Sequence, residues 1–134
     1  MATTISVNSR SVQILRIFVS GIFHVAGFNH LLHVEKTAKR IEQANFKGIA
    51  HLFGEPQWLI IISGIVMLLA GFIFLIGYKT KWAALILMGV LIPITLTIQV
   101  GQITTLGPLF KNIAILGGLL FFVLNDTSTS RKPI

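Results

Sequence analysis

The sequence predicts an all-α integral membrane protein: a four-helix bundle with an interfacial connection between its first and second spans. Three observations carry this. Of 134 residues, 54% are hydrophobic and only 11% charged, whereas an ordinary soluble domain has about 25% charged residues. Asp, Glu, Lys and Arg are absent from four runs, residues 17–34, 56–78, 82–110 and 112–125. Pro56 and Pro108, with Gly54 and Gly107 just before them, mark the turns that open two of the helices. A spanning helix needs about 20 mostly apolar residues, so the helices are expected near residues 12–33, 57–78, 82–103 and 108–125. Residues 1–11 form a short tail, 12–125 a single transmembrane domain, and the polar end "NDTSTSRKPI" makes 126–134 a disordered tail.

The first run, "RIFVSGIFHVAGFNHLL", is too long and too rich in His and Asn for the apolar core of a signal peptide, and no small-x-small cleavage site follows it. It therefore reads as a retained span. In the connection that follows, "EKTAKRIEQANFKGIAHLFGE", Ala38, Ile41 and Ala44 recur at helical spacing opposite Lys39, Glu42 and Gln43. That pattern fits an amphipathic helix lying along the interface, and a solvated loop is the alternative; Gly48 and Gly54 would interrupt any such helix.

Pro56 opens the second span at a first-turn position, where a missing amide proton costs little. Its Ser63, Met67, Ala70 and Phe74 share a face. "GYKTKW" leaves room for only a tight hairpin, so the second and third spans are antiparallel neighbours. Tyr78 and Trp82 then lie at one headgroup level and Trp58 at the other, as an aromatic belt requires. In the third span Thr95, Gln99 and Gln102 follow i, i+4, i+7 spacing with Met88 and Ala84 on the same face, and Pro93 frees a backbone carbonyl and kinks the helix. In the fourth, opened by Pro108, Lys111, Ala114, Gly118 and Asn125 share a face, Ala114 and Gly118 allow close approach, and Lys111 reaches back to the interface by its stem.

Charge and composition exclude several functions. The formal charge of +7 comes from residues that flank apolar runs, among them Arg10, Arg16, Lys79, Lys81, Arg131 and Lys132. Basic residues in those places suit anionic headgroups, not nucleic acid. With no cysteine there is no thiol active centre, CxxC redox pair or thiolate-held cluster. With an even number of spans those six basic residues share one side, against Lys36, Lys39, Arg40, Lys47 and Lys111 on the other. The bias places both termini in the cytoplasm by a narrow margin.

Three of the four histidines fall within residues 21–33. Measured from Gly21 around a helix, His24, His30 and His33 point to about 300°, 180° and 120°, so they do not converge on one metal or haem, and the other spans supply no facing imidazole. His30 and His33 are expected at the interface. His24, by contrast, lies deep, on a polar and small-residue stripe with Gln13, Arg16, Ser20 and Gly27. Polar groups there are costly unless satisfied internally. The stripe either packs against neighbouring helices or lines a ligand site. The candidate ligand-binding residues are Arg16, Ser20, His24, Thr95, Gln99, Gln102 and Lys111. They offer neutral donors and acceptors, an imidazole and flanking cations, without a nucleophile, an acid pair or a phosphate loop, so no catalytic residue is assigned. A carbonyl-bearing apolar molecule such as a quinone suits His24 and Gln99 against an apolar wall, and so does a lipid.

The ordered set of "RIFVSGIFHVAGFNHLL", a charged connection, "GEPQWLIIISGIVMLLAGFIFLIGYKTKWAALIL", a third span and "GPLFKNIAILGGLLFFV" resembles the DoxX family of small bacterial membrane proteins, over roughly residues 12–125. The matching positions are Arg16, Gly21, His24 and Gly27, then Gly64 and Gly71, then Lys111, Asn112, Gly117 and Gly118. The resemblance implies a four-helix bundle in the bacterial cytoplasmic membrane and a link to quinone-reducing redox metabolism. It thereby implies an accessory membrane subunit, not catalytic alone, with the lipid bilayer and an oxidoreductase subunit as partners and the redox cofactor held by that partner. A homo-oligomer is compatible with it. The alternative from another class is a scaffold or assembly factor whose polar interior only fixes helix register.

Overall fold

The computed structural model describes residues 4–43, 48, 55–96 and 106–125. These residues form five helices: α1 (Ser9–Leu32), α2 (Val34–Glu42), α3 (Pro56–Ile76), α4 (Thr80–Ile94) and α5 (Leu106–Leu124). Three of them, Ser9–Leu32, Gln57–Ile76 and Leu106–Leu124, are long and apolar enough to cross a membrane, while Thr80–Ile94 is a shorter apolar helix. The third span expected at 82–103 runs partly through residues outside the described set, and Ala44, Gln99, Gln102 and the tail expected at 126–134 lie outside it as well.

Local chemistry sets the helix ends. Asn8 caps α1, its side-chain oxygen accepting from the Arg10 amide at 2.8 Å, which satisfies one of the donors a helix start leaves free. At the far end of α3, Gly77 adopts φ 81° and donates to the Phe74 carbonyl, while Tyr78 donates to Ile73. This paired closure needs a left-handed residue, which glycine supplies without a Cβ penalty. Lys79, also left-handed at φ 44°, then starts α4, its carbonyl accepting from Trp82 and Ala83. The tight hairpin read from "GYKTKW" is this turn.

α3 is the central helix. It packs on α1, α2 and α4; α4 packs on α5, and α5 touches α1 sparsely. The inward face of α3 is Ser63, Met67, Ala70 and Phe74, all buried, the face its periodicity predicts. Around it gather Phe23, Ala84, Leu87, Leu91, Leu119 and Phe122, with the Phe74 and Phe122 rings edge to face at 4.8 Å. Large apolar side chains such as Phe18, Phe28, Leu69, Phe72 and Leu120 point outward, as expected of a surface facing acyl chains. Trp58, near the start of α3, and Tyr78 and Trp82, at the hairpin that follows it, are exposed as well.

Two expectations shift. The connection holds a helix over Val34–Glu42, and its Ile41 is buried against Ile60, with Val34, Ala38 and Leu59 packed around. The apolar face of α2 is thus spent largely on α3. On α5 the expected inward face of Lys111, Ala114, Gly118 and Asn125 is turned: Lys111, Ala114 and Asn125 are exposed, and the buried residues are Asn112, Leu119 and Phe122. Two large apolar side chains have more surface to hide than an Ala–Gly ridge, and they set the helix rotation.

Candidate functional site

Glycine brings α1 and α3 together. A Cβ at Gly27 would stand 2.8 Å from Leu68 Cγ and 3.0 Å from the Gly64 carbonyl oxygen, and one at Gly64 would stand 3.0 Å from His30 Cβ and 3.1 Å from the Gly27 carbonyl oxygen. The two backbones therefore cross almost in contact. Two turns along α3 toward the hairpin end, Gly71 leaves room for the His24 ring, whose Cε1 lies 3.3 Å from where its Cβ would be.

The stripe on α1 is satisfied by its own helix. Ser20 is buried and donates to the Ile17 carbonyl at 2.9 Å, and His24 Nδ1 lies 2.8 Å from the Ser20 carbonyl. A carbonyl only accepts, so His24 Nδ1 carries the proton. Arg16 is half-buried, and its Nε is buried without a hydrogen-bond partner among the described residues. None of these three side chains lines the cavity that opens among the described helices.

That cavity, of about 290 Å³, lies toward the end of the bundle that carries α2. Ile22, Phe23, Ala26, Met67, Leu91, Ile94 and Ile115 give it apolar walls, and Asn29, His30, Thr37, Arg40, Lys111 and Asn112 give it polar ones. Every described helix contributes. His30 faces inward, toward α3: its Nδ1 lies 3.0 Å from Ser63 Oγ. Ser63 already donates its hydroxyl proton to the Ile60 carbonyl at 2.9 Å. Ser63 Oγ must therefore accept, which puts the proton on His30 Nδ1 and leaves Nε2 with a free lone pair.

Behind the Asn112 wall, Thr95 donates to the Leu91 carbonyl at 2.7 Å and accepts from Asn112 Nδ2 at 3.0 Å, a buried link between α4 and α5. Thr95 lies just past Pro93, where the helix widens into a π turn, a local distortion of the kind that re-aims side chains. One amide hydrogen of Asn112 is taken by Thr95; a second hydrogen and a carbonyl oxygen belong to the same side chain.

Of the residues singled out by sequence, the structure thus brings Lys111 to the cavity, sets Thr95 behind its wall as the partner of Asn112, and sets Arg16, Ser20 and His24 elsewhere on α1, while Gln99 and Gln102 lie outside the described residues. The sequence reading missed His30, Asn112 and Arg40. The signal for Asn112 was available: it falls at the i, i+3, i+7, i+10 spacing of Ile115, Leu119 and Phe122, a polar residue on an otherwise apolar stripe.

Residues 11–100 match the family model DoxX. The chain belongs to the DoxX family. No curated protein and no solved structure gives a match. The DoxX match takes in nearly all of α1, all of α2, α3 and α4, and thus the Gly27–Gly64 crossing, His24 against Gly71, and the His30–Ser63 pair. It ends before α5, so Lys111, Asn112, Gly117 and Gly118 lie beyond it.

Proposed function

We propose that this DoxX protein crosses the bacterial cytoplasmic membrane four times, with α4 continuing into the third span, and serves an oxidoreductase partner as a non-catalytic membrane subunit. Both termini lie in the cytoplasm. Its cavity receives the oxygen-bearing head of a membrane-soluble amphiphile, a quinone or a lipid. The observation that carries the ligand reading is the cavity of about 290 Å³ with apolar walls and a polar end, a size at the lower limit of small-molecule sites, which suits a head group and not a whole long-chain molecule.

In this reading His30 Nε2 accepts a hydrogen bond from a ligand hydroxyl, and the spare N–H of Asn112 donates to a ligand carbonyl. The apolar walls hold the ring or first methylenes. Entry is lateral, through the α1–α5 seam, where contact is sparse. The redox cofactor belongs to the partner.

Protein in lipid nanodiscs is expected to bind a short-chain quinone or a lipid analogue saturably, and His30→Ala with Asn112→Ala is expected to weaken that binding. Absence of saturable binding for both ligand types sinks the ligand reading. Affinity capture from native membranes, followed by mass spectrometry, tests the partner.

The scaffold reading draws on a different observation: Ser20, His24, Ser63 and Thr95 all bond backbone carbonyls of their own helices. Polar groups satisfied in that way need no ligand. If partner capture survives the His30 and Asn112 substitutions but fails when Gly118, whose Cβ would stand 3.3 Å from Val19 Cγ2, is replaced by Leu, the scaffold reading is the better one.

A further inference from the structure

The charge of the cavity narrows its ligand. Among the described residues its lining holds two permanent cations, Arg40 from α2 and Lys111 from α5, and no carboxylate. The two belong to different helices, and both are exposed, so each head can reach the mouth while the apolar walls lie deeper. Thr37, one turn before Arg40 on the same face of α2, adds a hydroxyl, and Asn29 and Asn112 add amides. A neutral carbonyl would gain little from two cations, whereas an ionised oxygen gains from both and is held by charge-assisted hydrogen bonds.

Resting on the reading of this cavity as a ligand site, we infer that the head it selects is anionic: an ionised oxygen group on an apolar body, placed between Arg40 and Lys111. That chemistry has two sources, the carboxylate of a fatty acid and the ionised hydroxyl of a hydroxyquinone. Arg40 also places α2 in the site as its polar lip. The helix is fixed to α3 through Ile41 and Ile60, so it offers its cation from a firm seat and need not fold onto the ligand.

The test uses the full chain in nanodiscs of zwitterionic lipid, with four probes: stearate, its methyl ester, an alkylated hydroxynaphthoquinone and its methoxy analogue. The ionised member of a pair is expected to bind more tightly than its neutral twin, and the pair with the larger difference names the source. Arg40→Gln and Lys111→Gln should each weaken the ionised probe about fivefold, the effect of one partly exposed ion pair. Neither should change the neutral twin. Both side chains are exposed, so both variants fold. Lys39→Gln, on α2 but outside the cavity lining, should change nothing. If the neutral twins bind as well as the ionised probes, or both cation variants bind like the parent, the charge inference fails while the ligand site stands. If none of the four probes binds saturably, the ligand site itself fails.

Discussion

Along its edge against α3, α1 has glycine facing glycine: Gly27 and Gly64 bring two backbones so close that a methyl group on either would crowd its neighbour. Along its edge against α5 the same helix makes few contacts, and on the side toward α2 the space between them opens into the cavity. One seam is closed along its length by removing side chains; the other closes where Gly118 meets Val19 and opens toward α2. In a bilayer, where apolar surface gains little from leaving lipid, close packing supplies much of the association energy. The α1–α3 seam therefore carries more of the stability than the sparse α1–α5 seam.

Substitutions separate the two seams. The largest expected loss is at the tight one: Gly64→Leu has no space beside His30 and Leu31 and should cost about 3 kcal/mol by overpacking, read as a lower midpoint in unfolding of the detergent-purified protein. Asn112→Ala removes the buried bond to Thr95 on the open side and should cost about 1 kcal/mol in the same measurement. Gly21 meets nothing within 4 Å of its missing Cβ, so Gly21→Ala should raise the midpoint slightly, by about 0.5 kcal/mol of helix propensity. Ala26→Phe fills the cavity that Ala26 lines and should leave the midpoint nearly where it was while abolishing ligand binding. Equal destabilisation by Gly64→Leu and Ala26→Phe would erase the distinction between the seams.

The two seams also differ in how far the sequence discloses them. The face of α3 follows directly from Ser63, Met67, Ala70 and Phe74, because a strict helical period and small residues leave one choice. The hairpin is equally legible, since "GYKT" has no room for another path. His30 was not legible: its place near a helix end suggests headgroups, and only Ser63, 33 positions along the chain, draws it inward. A helical wheel contains no information about what the facing helix offers. Asn112 was hidden by its neighbour, since a cation at Lys111 is the more conspicuous feature and one residue is about 100° of rotation. The amphipathic pattern of α2 was visible, but Ile60 and Leu59 as the receivers of its apolar face were not.

The turn at Gly77 and Lys79 constrains how the molecule can move. With α3 ended by a paired carbonyl closure and α4 begun after three intervening residues, neither helix can travel along its axis past the other without unwinding. A piston stroke of the kind some membrane sensors use is therefore denied to this pair. The pair can shift only as one unit, carrying its contacts with α1 and α5 along.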